Sequence, residues 1–379
     1  MGDGRSNFNL RFLRSIEGAP YLLVPLIPVA VGLELAHASA TLIFFVTAAA
    51  IIPTAAMMGR ATEELAARSG PGIGGLLNVT FGNAPELIIA LFALNAGLHE
   101  VVKASIVGSI IGNILLVLGL AMFAGGVGRG GSVQKFDRTA ANVQSTMLLL
   151  AVAALMMPAI FELVQGQGLP DVNAELVSYD STVEKLSLAV AVVLIVTYVL
   201  GLLFSLRTHK DVFNPVAETH DDEGLWGWSA RTSVIALAIS GAVVGLLSEI
   251  LVGSISEASE SVGLSEFFVG AIVVAIVGNA AEHWVAVLVA YKQKMNLAVN
   301  IAVGSSAQVA LFVAPVLIFA SFVIGPQPMP LVLNGFELGG IALAVIIANQ
   351  VTQRGESTWF EGLQLVALYV IIAVTFFVA

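Results

Sequence analysis

Apolar stretches of about twenty residues, separated by short polar breaks, run through almost the whole chain. A helix needs roughly that length to cross the hydrocarbon layer of a membrane. Eleven such segments can be traced, at about 20–36, 38–58, 73–96, 101–125, 140–164, 185–206, 230–252, 266–291, 297–322, 331–350 and 359–379. They read as helices, because a membrane barrel would show alternating strands of about ten residues instead. The first segment is the weakest: it is short and interrupted by Pro20, Pro25 and Pro28.

The basic residues test this count. With eleven crossings, fourteen of the sixteen Lys and Arg fall on the side that holds the N-terminus, and only Lys103 and Lys185 on the other. Cytoplasmic loops collect Lys and Arg. The expected topology therefore has a cytoplasmic N-terminus and an outside C-terminus. Composition agrees: 58% of residues are hydrophobic, 11% are charged and mean hydropathy is +0.94, against about 25% charged in soluble domains. A net charge of -10 excludes a nucleic-acid partner, which would need a basic surface. With no cysteine there are no disulfides, thiolate metal sites or cysteine nucleophile. Met1 to Leu10 contains no cleavable apolar core, so the first segment is expected to be retained.

The chain also repeats itself. Gly82-Asn83-Ala84-Pro85-Glu86 recurs as Gly278-Asn279-Ala280-Ala281-Glu282, 196 residues on. Val107-Gly108-Ser109 and Val303-Gly304-Ser305 share that offset, as do Ala90 and Ala286. Each unit holds five segments, and an odd number makes the second copy enter the membrane from the opposite side. The expected fold is all-α and integral to the membrane: an N-terminal segment and helix (1–37), one five-helix repeat (38–206), an acidic cytoplasmic linker (207–229) and the inverted repeat (230–379). Transporters built this way place their substrate at the midplane, where the halves meet.

Glu86 and Glu282 sit near the middle of their segments. An ionisable group at the bilayer centre costs about 3 kcal/mol or more, so it usually faces a cavity and has a function. Asn83 and Asn279 each precede a glutamate by three residues and share its helix face. Pro85 cannot donate to the Phe81 carbonyl, which predicts a kink with that carbonyl free. Gly82 and Gly278 permit close helix approach. Gly108 and Gly304 would do the same against the glutamate helices. Ser109 with Asn113, and Ser305 with Gln308, add a second polar layer.

Together these form an oxygen-rich set suited to calcium, which takes six to eight oxygens at about 2.3–2.6 Å. Softer metals would want His or Cys. His283 projects about 100° round the helix from Glu282 and reads equally as a proton carrier or a packing residue. Protons compete with a metal for carboxylates in a low-dielectric cavity, so the set suggests exchange of one for the other. Glu249 and Glu337 read either as lining an access path or as packing or interfacial exposure. Glu162 is expected at the membrane interface, and Glu63 and Glu64 in a helical extension. In the linker, Glu218, His220, Asp221, Asp222 and Glu223 form either a solvated acidic loop or a cytoplasmic surface that attracts divalent cations.

These motifs, with Leu87-Ile88, His283, and the Gly304-Ser305-Ser306-Ala307-Gln308 and Gly108-Ser109…Asn113 runs, resemble the signature regions of the calcium/proton antiporters. That group is the cation/proton exchanger family of the calcium/cation antiporter superfamily. The resemblance spans nearly the whole chain. It implies ten core helices related by a pseudo-two-fold plus one extra. It also implies that Glu86 and Glu282 alternately bind Ca2+ and protons, with Asn83 and Asn279 beside them. Sodium/calcium exchangers usually carry Ser or Thr where this chain has Asn, which favours protons as counter-ion. Gly112 stands where a Ser often precedes the Asn, a departure touching one minor ligand. The N-terminus lacks the long extension that inhibits plant members, which suggests a prokaryotic plasma (inner) membrane.

Ca2+, H+ and membrane lipid are the expected partners, with Ca2+ as substrate and no cofactor. A homo-oligomer is compatible with all of this. The alternatives are a sodium-coupled calcium or manganese exchanger and a cation channel. An enzyme finds no support: Gly-x-Ser-x-Gly, paired-His zinc and phosphate-cradling motifs are all missing.

Overall fold

A computed structural model of the chain describes residues 18–128, 130–172, 176–208 and 226–379. Its helices are α1 (Ala19–Leu35), α2 (Ala40–Gly82), α3 (Ala84–Asn95), α4 (His99–Val127), α5 (Arg138–Val164), α6 (Ser181–Thr208), α7 (Ala230–Val262), α8 (Glu266–Tyr291), α9 (Met295–Ser321), α10 (Gly335–Thr352) and α11 (Trp359–Val378). Among the described residues nine helices are long and apolar enough to cross a membrane, the first being Ala40–Ser69 within α2. The bent pair Leu76–Gly82 and Ala84–Asn95 makes a tenth if it counts as one span. The eleventh expected crossing, α1, is apolar but shorter than the about 20 residues a span needs. Glu218, His220, Asp221, Asp222 and Glu223 lie outside the described residues.

The polar break expected between the second and third segments is itself helical, since α2 runs from Ala40 to Gly82. It is not straight. The backbone of Gly74 lies directly against the Ala66 carbonyl, whereas residues eight apart on a straight helix are about 12 Å apart. The chain therefore turns back on itself between Ala66 and Gly74. α3 then starts after Asn83 at a 43° bend, with Pro85 in its first turn, where a missing N–H costs nothing. The Phe81 carbonyl is not left free as expected, because the Asn83 N–H donates to it. α8 has Ala281 in place of the proline and runs unbroken through Asn279 and Glu282.

Side-chain caps start most of the later helices. Asp137, Asp180, Ser229 and Ser265 accept backbone N–H groups at the starts of α5 to α8, and Asn334 and Thr358 form capping boxes with Glu337 and Glu361. α4 and α9 are the most enclosed spans. Each follows a left-handed residue, Gly97 at φ 81° and Gln293 at φ 68°. Each also contains a π-helical turn, Gly112–Val117 and Val309–Val313. These features share the offset of the sequence repeat. A two-stranded antiparallel pairing, Gln134–Lys135 (β1) with Glu356–Ser357 (β2), joins the α4–α5 and α10–α11 connections.

Three charged residues are buried where the sequence reads a helical extension, a span end and the membrane interface. Glu64 does lie on the helical extension, but it is buried and accepts the backbone N–H groups of Trp226 and Trp228. With the Arg60 guanidinium 4.9 Å over the Trp226 ring, it ties the start of the second half to α2. Lys103 is buried in the first turn of α4, paired with Glu100, and not in a loop. Glu162 is also largely buried. Glu249 is exposed on α7, which agrees with interfacial exposure and not with core packing.

α4 and α11 cross at glycines. A Cβ on Gly362 would stand 2.5 Å from the Gly119 oxygen and 2.6 Å from the Phe123 nitrogen, whereas one on Gly253 would meet nothing within 4 Å. Gly362→Ala is expected to cost about 1–3 kcal/mol by overpacking. Gly253→Ala should instead stabilise its helix by about 0.5–1 kcal/mol. Thermal unfolding of the detergent-solubilised protein should therefore move the two midpoints in opposite directions.

Candidate functional site

The glycine before each Asn brings the two halves together. A Cβ on Gly278 would touch Glu86 at 3.4 Å, and one on Gly82 would stand 3.2 Å from Glu282 Oε1. Each glutamate is thus packed on the opposite repeat's glycine. Gly108 likewise lies tight against the backbone of Ala271 in α8, the expected close approach to a glutamate helix. Gly304 does not follow suit, since its neighbours are the side chains of Asn300 and Gln144.

The asparagines and serines cross between halves in matching fashion. Ser305 Oγ lies 3.0 Å from Asn83 Oδ1 and 2.7 Å from Glu282 Oε2. One hydroxyl proton cannot serve both acceptors at once, and the charged carboxylate is the stronger. Asn83 Nδ2 donates to Gln308 Oε1 at 2.7 Å. In the other half Asn279 Nδ2 donates to Ser109 Oγ at 3.0 Å and to the Ala275 carbonyl at 3.0 Å. The Asn83–Ser305 contact maps onto Asn279–Ser109 by the repeat offset. Asn113 meets His283 Nε2 at 2.9 Å, so His283 has a polar partner rather than a purely apolar packing role. The residues singled out in the two motif pairs therefore converge on one place.

The two carboxylates are not equivalent. Glu86 is 3% exposed, and neither of its oxygens has a hydrogen-bond partner in good geometry, although Ser109 and Asn279 stand close enough to act on it. Glu282 is partly exposed and holds Ser305. The Glu86 carboxylate feels Glu282, and Glu282 in turn feels Glu63, whose side chain is 47% exposed. Glu63 is thus a functional candidate that sequence reasoning places in a mere helical extension. Its signal is an acidic residue on a span whose far end folds back toward the motif. Gln144 and Asn300, hydrogen-bonded to each other beside Gly304, are two more that sequence reasoning misses. As isolated polar residues inside apolar segments they carry only a weak signal.

Two carboxylates with amide and hydroxyl oxygens make a hard donor set, the chemistry of a calcium-sized ion. Among the described residues no three His, Asp or Glu side chains are gathered in metal-binding geometry, so a cation held here would need neutral oxygens to complete its shell.

The sequence from 39 to 207 and from 232 to 378 matches the family described as "Sodium/calcium exchanger protein". The chain is 43% identical over 373 residues to the Ca(2+)/H(+) antiporter of Aphanothece halophytica, covering 94% of this chain and 95% of that one. It is 43% identical over 354 residues to the Ca(2+)/H(+) antiporter ChaA of Bacillus subtilis, covering 93% and 96%. The solved structure of native YfkE superposes with a TM-score of 0.79 at 39% identity, covering 95% of this chain and 99% of that one. With motif, site geometry and fold in agreement, the chain belongs to the sodium/calcium exchanger protein family.

Proposed function

We propose that this protein exchanges Ca2+ for H+ across a membrane by alternating access, with Glu86 and Glu282 alternately holding the metal and protons. The observation that carries the reading is the pair of repeat-related glutamates, each set against the other half's Gly-Asn motif and linked across the halves by Ser305–Asn83 and Asn279–Ser109. The relatives named as Ca(2+)/H(+) antiporters support it over most of the chain.

Metal binding needs both carboxylates ionised, and proton binding cancels their charge, so the two cargoes exclude one another at one site. Asn83, Asn279, Ser109, Ser305, Gln308 and Asn113 supply or position the neutral oxygens, and His283 is held beside the site by Asn113. Glu282 is accessible and Glu86 enclosed, which suits a state open on one side only. Glu63 pairs with Arg60 just beyond the apolar first half of α2, and in this reading that opening is the cytoplasmic one. Reopening the site on the other side requires the halves to shift relative to each other. The cross-half hydrogen bonds are the contacts that would report such a shift. The protein is read as having a cytoplasmic N-terminus, with the two five-helix repeats inverted and Ca2+ as cargo rather than cofactor.

Reconstituted protein should take up calcium against an imposed pH gradient, and uptake should cease when the gradient is collapsed. Glu86→Gln and Glu282→Gln should each abolish exchange while leaving the purified protein folded. Uptake that follows a sodium gradient and ignores pH would instead support the sodium-coupled alternative. Ser305→Ala removes a hydrogen bond to a carboxylate, worth about 1.5–3 kcal/mol, whereas Ser109→Ala removes a neutral one worth about 1 kcal/mol. Calcium affinity in transport assays should accordingly fall further in the Ser305 variant.

A further inference from the structure

A second buried acidic cluster lies away from the transport pair, at the end of the molecule opposite the basic loops. Its parts come from four places. The first turn of α4 brings His99, Glu100 and Lys103; the start of α10 brings Asn334 and Glu337; Glu162 ends α5; and Tyr179 precedes α6. Lys103 Nζ donates to the Val332 carbonyl at 2.9 Å and pairs with Glu100. Glu337 is fully buried, and one of its oxygens accepts the Asn334 N–H at 2.8 Å. Its carboxyl feels both Lys103 and Glu100, and the Tyr179 hydroxyl feels Glu100, Glu162 and Glu337.

Glu100 and Glu337 thus share one ammonium, which is already committed to Glu100, and Glu162 approaches the same tyrosine. The unpartnered buried atoms concentrate here: Glu337 Oε1, Glu100 Oε2, His99 Nε2, Tyr179 Oη and Asn334 Nδ2. Buried polar atoms without partners signal a missing occupant. A dication does not fit, because the Lys103 ammonium stands inside the cluster and no three acidic or imidazole groups are gathered for a metal among the described residues. A proton does fit. It neutralises the carboxyl that has no cation of its own, and it turns one orphan acceptor into a donor for the others. The cluster is reachable, because Glu100 lines a cleft of about 170 Å³ with Ser259, Glu260, Ser265 and Glu266, enough for water. It is also connected to the transport site: Lys103 and Ser109 share α4, about 9 Å apart along its axis, and Gly340 of α10 packs on Ile111.

We propose that Glu337 is a proton-carrying site in its own right, loaded at Oε1 from the cleft at Glu100 and distinct from Glu86 and Glu282. Its transport role rests on the exchange of calcium for protons set out above, whereas the protonated carboxyl itself does not. The test is infrared difference spectroscopy of the purified protein between acid and alkaline pH, read in the carboxylic-acid C=O region without calcium. The double variant Glu86→Gln/Glu282→Gln should keep a protonated-carboxyl band that Glu337→Gln loses. Should Glu337→Gln fail to fold, Glu100→Gln serves instead. It frees Lys103 to pair with an ionised Glu337, so the same band should vanish although Glu337 is intact. A band unchanged in a folded variant of either kind overturns the proposal. In transport, Glu337→Gln should flatten the dependence of calcium flux on pH at the cleft side by up to about tenfold per pH unit, the share of one titrating group. Loss of the band with that dependence unchanged would make Glu337 a fixed neutral cap and would equally overturn the proposal. Because the band is read without calcium, a protein that failed to exchange calcium for protons would still reveal whether Glu337 takes up a proton.

Discussion

Placing two carboxyl groups inside a membrane is the constraint around which this molecule is arranged. Among the described residues, neither Glu86 nor Glu282 draws on a basic side chain for a hydrogen bond or for charge compensation, so neutral donors surround them and, in the proposed function, the exchanged ions balance them. This explains why the polar residues of four different helices converge on one place. It also explains why Gly108 stands where α4 crosses the glutamate-bearing α8: only a residue without a Cβ lets the two backbones come so near.

In the proposed exchange, pseudo-symmetry would do the work of a hinge. The cross-half contacts Asn83–Ser305 and Asn279–Ser109 are copies of one another, so two arrangements of similar energy can be related by exchanging the roles of the halves. The copies are not identical, and the differences are physical. Pro85 opens α3 after a 43° bend in the chain, whereas Ala281 leaves α8 continuous. Glu86 is enclosed without a well-aligned partner, while Glu282 is accessible and bonded. An exchanger needs such inequality in any one state, because a site open equally to both sides would leak.

The tethers sit at the periphery of this centre. Glu64 gathers the Trp226 and Trp228 amides, and the β1–β2 pairing links two connections. Lys103 with Glu100 closes the opposite end. Buried ion pairs add little net stability compared with apolar packing. Their presence here makes better sense as a means of setting position and charge than as a source of folding energy.

Hydrophobic periodicity and length were enough to place eight of the spans, from α4 to α11, within a few residues of their ends, because lipid demands about twenty apolar residues wherever a helix crosses. The exception is α7, which runs on to Val262, beyond its expected end near 252. The repeated Gly-Asn-Ala motif and its fixed offset also named the glutamates and their serine, asparagine and glutamine neighbours. Local sequence could not locate contacts made by chain reversal or by packing between distant segments. The turn of α2 against itself reads in sequence as a polar break, and the electrostatic reach of Glu63 to Glu282 leaves no local signal. Lys103 and Glu162 read as interfacial because their burial depends on helices far away along the chain. The inequality of Glu86 and Glu282 is likewise absent from two nearly identical motifs. Membrane insertion is a property of each segment by itself and so is written in the sequence. The partner of a buried charge is a property of the packed whole, and only the tertiary structure decided it.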